Sequence, residues 1–278
     1  MKQLYLKTRD IVIIILVAFL LSLTTEIVPK ILSWTGISSK ISNIDFQMII
    51  ILWSEIVGVF IILGVFRNNH QIAAVDFTDW PKYLKGLLGG AGLFGLVWIA
   101  SVLLKGYSVS WVFNFGKTGI ILLFFGGFLI QSFFEEVLCR GFVLGYFLTK
   151  HRVVTGVVVN SFVFAVMHLG NSGVTWLAGL NLILFSVVMS FVRLVWGNLL
   201  INGAIHGSWN FAEGVLFGTS VSGTPNIAGV WQSHETSASS LINGGEFGLE
   251  ASFICFVVYA VVLYWLVIKY KNNKKHEG

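Results

Sequence analysis

Apolar runs of about 20 residues recur from one end of this chain of 278 residues to the other. A helix of that length crosses the roughly 30 Å hydrocarbon core of a bilayer. Only 11% of the residues are charged and mean hydropathy is +0.83, whereas soluble domains carry about 25% charged residues. The pattern therefore predicts an all-α, polytopic membrane helix bundle. We expect about eight spans, at 11–31, 46–66, 86–104, 118–147, 153–169, 176–195, 198–217 and 249–268.

The basic residues are divided unevenly between the predicted connecting segments. The positive-inside rule places the more basic side in the cytoplasm and so predicts that both termini are cytoplasmic. The polar stretch 218–248 has neither Lys nor Arg and is expected on the outer side. No A-x-A-like cleavage site follows the first run, which favours an uncleaved anchor helix. Thirteen of the eighteen basic residues fall on the cytoplasmic side: Lys2, Lys7, Arg9, Arg67, Lys82, Lys85, Lys150, Arg152, Arg193, Lys269, Lys271, Lys274 and Lys275.

The chain is expected to form one bundle in three parts. Residues 1–117 hold the first three spans, 118–217 hold the four spans that carry polar residues, and 218–278 hold the polar loop, the last span and a basic tail. In the third span, Gly86 and Gly90 are four residues apart, a spacing that predicts close helix packing. The sequence contains no sign of the oligomeric state.

Polar side chains interrupt three of the apolar runs at helical spacing. A charged residue near the centre of a membrane helix costs about 2.5–3.5 kcal/mol, so pairing or function must offset it. Taken singly, a histidine can be a satisfied hydrogen-bonding residue, an asparagine can join two helices, and an ion pair can lock them. Their joint occurrence in three apolar helices indicates a functional site. The three stripes are Ser132, Glu136 and Arg140, then Asn160, Phe164 and His168, then Asn202, His206 and Asn210.

The motifs in these stripes resemble those of the CPBP intramembrane proteases. This family includes type II CAAX prenyl endopeptidases and bacterial Abi or bacteriocin-processing homologues. The resemblance implies an endopeptidase that hydrolyses a peptide bond of a membrane-associated protein or peptide, and it covers about 118–217. The three motifs, in order, are Glu135-Glu136-x-x-x-Arg140, Phe164-x-x-x-His168 and His206-x-x-x-Asn210.

Peptide hydrolysis needs an activated water, a stabilised oxyanion and a protonated leaving amine. We expect Glu135 to be the general base and His168 to hold the same water. His206 and Asn210, one turn apart, are expected to donate hydrogen bonds to the oxyanion. Three residues are expected to structure the site rather than react: Glu136, Arg140 and Phe164.

Zinc is the main mechanistic alternative, because Glu135, His168 and His206 together form the His₂Glu set of a catalytic zinc site. The sequence has no H-E-x-x-H motif, so a cofactor-free glutamate mechanism is favoured. The resemblance is compatible with both, since the family includes proteins described as metalloproteases and as glutamic proteases. A transporter and a non-catalytic membrane scaffold or immunity protein are the alternatives from other functional classes. The expected partners are a membrane-associated substrate and the bilayer, without nucleic acid.

Overall fold

The apolar runs form helices in the computed structural model, which describes residues 2–225, 227 and 229–277. The side chains of Lys2 and Lys7, two of the basic residues behind the predicted orientation, lie outside the described part. Two π-helical segments, Val137–Val143 and Ala212–Leu216, follow α6 and α10 directly. The helices are α1 Lys2–Ser22, α2 Ile27–Trp34, α3 Ile44–Ser54, α4 Ile56–Val65, α5 Trp80–Leu103, α6 Thr118–Glu136, α7 Leu144–Thr149, α8 Val153–Met167, α9 Trp176–Trp196, α10 Leu199–Phe211, α11 Ser240–Asn243 and α12 Phe253–Glu277.

All eight predicted runs contain helix, and the polytopic helix bundle is confirmed. The fifth run is the 15-residue helix α8, whose length of about 22 Å is less than the hydrocarbon thickness. The seventh run forms the 13-residue helix α10, which buries the polar side chains of Asn202, His206 and Asn210. Within the described residues, six segments are long and apolar enough to span: Thr8–Trp34, Ile44–Val65, Phe77–Leu103, Phe115–Thr149, Trp176–Trp196 and Phe253–His276.

The orientation of the chain in the membrane remains a prediction from the basic residues, and single-cysteine labelling would test it. The native Cys139 and Cys255 are buried, so they leave little background. We expect Ser239→Cys to react with an impermeant maleimide on intact cells. Thr8→Cys and Asn272→Cys are expected to react only after the membrane is opened. Labelling of Asn272→Cys on intact cells would contradict a cytoplasmic C-terminus.

Helix α5 packs on α10 through its glycines. A Cβ atom added to Gly86 would lie 3.1 Å from the Cβ of Ala204. A Cβ added to Gly90 would collide with the carbonyl oxygen of Ile205. The close packing predicted from the spacing of Gly86 and Gly90 is confirmed, and its partner is α10.

The opposite face of α10 packs equally closely on α6. A Cβ on Gly203 would lie 2.7 Å from the ring of Phe133, and a Cβ on Gly207 would lie 2.8 Å from the Leu129 side chain. Because these glycines let the two backbones approach, His206 is held against the end of α6.

A short antiparallel ribbon joins the stretch that the sequence predicted only as a polar loop to the segment that follows α5. Strand β1, Tyr107–Trp111, pairs with β2, Trp231–Glu235. Ser233 of β2 accepts a hydrogen bond from the Trp98 indole nitrogen at 2.9 Å and donates one to the Phe217 carbonyl oxygen at 2.6 Å. These bonds attach the ribbon to α5 and to the residue after the second π-helical segment.

Candidate active site

Glu136, the last residue of α6, is fully buried and held by three hydrogen-bond donors. Its Oε1 accepts a 2.9 Å bond from Arg140 and a 2.9 Å bond from Nδ1 of His206. Its Oε2 accepts from the Asn202 amide at 3.1 Å. Charge-assisted bonds of this kind offset the desolvation of a buried carboxylate. Glu136 therefore joins α6 to α10 and has little capacity left for chemistry.

Arg140 lies in the first π-helical segment and completes the i, i+4 ion pair expected with Glu136. Such wider turns are frequent at functional sites. The guanidinium carbon lies 4.6 Å from the centre of the Phe164 ring, a cation–π contact. Phe164 thus fixes the orientation of Arg140 from a third helix, α8.

Glu135 is directed into a different environment from that of its neighbour. Its Oε1 accepts a hydrogen bond from the Gln131 amide, one helical turn earlier. Its Oε2 has no hydrogen-bond partner within the described residues and lies 3.9 Å from Nε2 of both His168 and His206. That separation is too long for a direct hydrogen bond, and one bridging water fits it. Of the two adjacent carboxylates, Glu135 is the one that lines the cavity with an oxygen that makes no hydrogen bond within the described residues.

Both histidine rings are oriented through their Nδ1 atoms. In His168, Nδ1 donates to the Phe164 carbonyl oxygen at 2.8 Å, and the Phe164 ring packs 4.6 Å away. In His206, Nδ1 donates to Glu136, and the ring of Phe185 packs against it at 4.9 Å. Each Nε2 is therefore directed towards Glu135.

Asn210 is placed one turn beyond His206, as its spacing predicts, and its amide contacts α6. The amide nitrogen donates to Ser132 Oγ at 3.2 Å and to Gln131 Oε1 at 3.3 Å. Gln131 therefore connects Asn210 to Glu135, a role that the motif comparison missed. The signal that could have found Gln131 is its position four residues before Glu135, on the same helix face.

The three side chains that meet at Oε2 of Glu135 have the chemistry of zinc ligands but a wider spacing. Two imidazole nitrogens and a carboxylate oxygen are suitable zinc donors, and each Nδ1 atom has the second partner typical of metal-bound histidine. Tetrahedral ligands would lie about 3.3 Å apart, less than the 3.9 Å found here between Glu135 and either histidine. Within the described residues, no group of three His, Cys, Asp or Glu side chains has the spacing to hold a metal ion. In this structure Glu135 is therefore farther from the two histidines than zinc ligands are from one another.

A cavity of about 270 Å³ opens over these side chains. Glu55, for which the sequence suggested no role, lies at the break between α3 and α4 and reaches the cavity. Glu250 accepts a hydrogen bond from Ser222 on the wall. Glu213 is buried in the second π-helical segment and does not line the cavity. The polar residues at the cavity include Glu55, Gln131, Glu135, His168, His206, Asn210 and Glu250.

Part of the chain matches a known protein family. Residues 117–212 match the family described as "Type II CAAX prenyl endopeptidase Rce1-like". The matched segment is about a third of the chain, and it contains every residue predicted for the site. No curated protein and no solved structure matches the chain. The resemblance to the CPBP intramembrane proteases is confirmed.

Proposed function

We propose that this CPBP-family chain is an intramembrane endopeptidase that uses Glu135 to activate water against a peptide bond of a membrane-associated substrate. The observation that supports this most directly is the difference between two adjacent carboxylates. Glu136 is saturated by three donors, whereas Oε2 of Glu135 faces two imidazole nitrogens across a gap that one water can fill. Pairs of carboxylates in contrasting environments are typical of acid–base sites.

In the proposed mechanism, a water between Glu135 and His168 is the nucleophile. Glu135 takes a proton from this water while the oxygen bonds to the substrate carbonyl carbon, and the carbonyl electron pair moves to the oxygen as an oxyanion. When the carbon–nitrogen bond breaks, Glu135 returns the proton to the leaving amine. A positioned carboxylate in this role typically contributes about 10²–10⁴ in rate.

His206 is the proposed oxyanion donor. Its Nδ1 donates to the Glu136 carboxylate, which leaves Nε2 directed towards the cavity, where it donates to an oxyanion when it carries a proton. Asn210 is the proposed second donor, once its amide leaves Gln131 and Ser132 as the substrate carbonyl approaches. A hydrogen bond to an oxyanion strengthens in the transition state, so these groups act on turnover more than on substrate binding.

The test uses purified full-length protein in nanodiscs, a cleavable reporter peptide, and parallel reactions with and without a strong chelator. We expect cleavage to survive exhaustive chelation, because the three donors are spaced for a bridging water. We also expect His206→Ala and Asn210→Ala to lower kcat by about 10²–10³ with a smaller change in KM.

Activity lost on chelation and restored by zinc would overturn the glutamate mechanism and assign both histidines as ligands. In that case, a measurement of substrate binding and a measurement of bound metal would place the His168 and His206 variants in the same order. Absence of cleavage from all samples, together with uptake of the peptide by sealed liposomes that contain the same protein, would overturn the protease assignment itself.

A further inference from the structure

A second cavity, of about 420 Å³, lies between α5, α9, α10 and α12. Its volume falls in the range of about 300–1,000 Å³ found for small-molecule sites. Most of its walls are aliphatic or aromatic, and its polar groups are concentrated in three lysines, Lys82, Lys85 and Lys269. The proposed mechanism uses none of these lysines.

The lysines lie together at one end of the bundle. Lys82 and Lys85 are in the first turns of α5, and Lys269 is near the end of α12. Nζ of Lys269 lies 4.5 Å from the ring of Trp196 and 5.0 Å from the ring of Trp265. Tryptophan and lysine side chains at helix ends are typical of the membrane–water interface. This end of the cavity is therefore placed at headgroup depth.

From the lysines the cavity extends inwards by about the depth of one leaflet. Tyr259 also lines it, ten residues before Lys269 on the same helix, which corresponds to about 15 Å along the axis. Half of a hydrocarbon core roughly 30 Å thick has the same depth. The dimensions match an acyl chain whose headgroup remains at the surface.

The space for that chain arises where α5 lacks side chains. Gly89 lines the cavity, and a Cβ atom added to it would meet nothing within 4 Å. A larger side chain at this position would therefore enter the cavity without a clash against the protein. Gly92, on the same helix, is equally open but does not line the cavity.

We propose that this cavity binds an anionic phospholipid, with its phosphate at Lys85 and Lys269 and an acyl chain between α5 and α12. Basic pockets between membrane helices are suited to anionic headgroups. Lys82 is partly neutralised by Asp79 at 2.9 Å, whereas no ion pair is found at Lys85 or Lys269 within the described residues. A free anion would leave the apolar part of the cavity unused.

The bound acyl chain would also pack against residues that form one wall of the candidate active site. Phe185 and Tyr259 line both cavities, and the ring of Phe185 contacts that of His206. The lipid site is thus separate from the reacting groups but shares a wall with them.

Native mass spectrometry of the delipidated, full-length protein would test the proposal. The probes are phosphatidylglycerol and phosphatidylcholine with identical acyl chains. We expect one phosphatidylglycerol to bind at least about tenfold more tightly than phosphatidylcholine. The double variant Lys85→Gln/Lys269→Gln is expected to weaken phosphatidylglycerol binding about 30-fold, whereas Lys271→Gln, which removes a nearby lysine outside the cavity, should change it little.

A steric pair of variants tests the apolar part independently. Gly89→Leu is expected to abolish binding of phosphatidylglycerol, and Gly92→Leu is expected to retain it. If Gly89→Leu does not fold, the lysine variants at the exposed helix end decide the result. Equal affinity for both lipids, unchanged binding in the lysine double variant, or displacement by an equal concentration of inorganic phosphate would each overturn the lipid assignment.

Discussion

Replacement of Glu135 by Gln is expected to lower turnover of the reporter peptide by about 10²–10⁴. The amide keeps the size of the side chain and the contact with Gln131, but it cannot accept the proton of the attacking water. Because Oε2 of Glu135 takes part in no hydrogen bond within the described residues, the folded structure should tolerate the change. The measurement is kcat from initial rates in nanodiscs, with thermal unfolding recorded on the same sample.

Glu213→Gln provides the matched control for this experiment. Glu213 is another buried membrane carboxylate, in the segment after α10, but it lies outside the cavity. Its variant should retain the wild-type turnover. Wild-type cleavage by Glu135→Gln would remove the general base from the proposal, and an equal loss in both variants would indicate a general effect on packing.

Replacement of Arg140 by Leu is expected to reduce the free energy of unfolding by about 3–5 kcal/mol and to lower activity with it. The side chain is fully buried beside Glu136. Its removal leaves a buried carboxylate without its main counter-charge, since the remaining donors are His206 and Asn202. Thermal unfolding in detergent, followed by intrinsic fluorescence, would measure the loss.

The double variant Arg140→Leu/Glu136→Gln distinguishes two causes of the instability, the loss of a charge partner and the loss of side-chain volume. If the uncompensated carboxylate causes the instability, neutralising it should restore part of the unfolding temperature. Activity should stay low, because His206 loses the carboxylate that orients it. Full stability of Arg140→Leu alone would contradict the view that this ion pair holds the site together.

The groups that act within one helix could be predicted from their spacing. Residues four apart share a helix face, so the Glu136–Arg140 pair, the His206–Asn210 pair and the packing of Gly86 and Gly90 all follow from the order of residues. The sequence also predicts different roles for Glu135 and Glu136, and the structure places the two carboxylates in different environments. Helix geometry alone could not show that the histidine facing Glu136 is His206, because that contact joins α6 to α10.

The number and depth of the membrane helices were less predictable. Apolar length marked eight runs, yet α8 is too short to span on its own and α10 is lined with polar groups. The ribbon formed by β1 and β2 also gave no clear signal, since each strand has only five residues. A polar helix becomes stable inside the bundle only when neighbouring helices satisfy its side chains.

The order of residues alone predicts a membrane helix bundle and the residues that share each helix face, because burial of apolar surface and helical periodicity are local properties. The meeting of the three faces at one point depends instead on packing between helices. Gly203 and Gly207 allow α10 to approach α6, and the contacts of Glu136 then fix the angle of His206. The positions of Gln131, Glu55 and the lysine-rimmed cavity depend on the same approach of helices distant in sequence, which no spacing within one helix can specify.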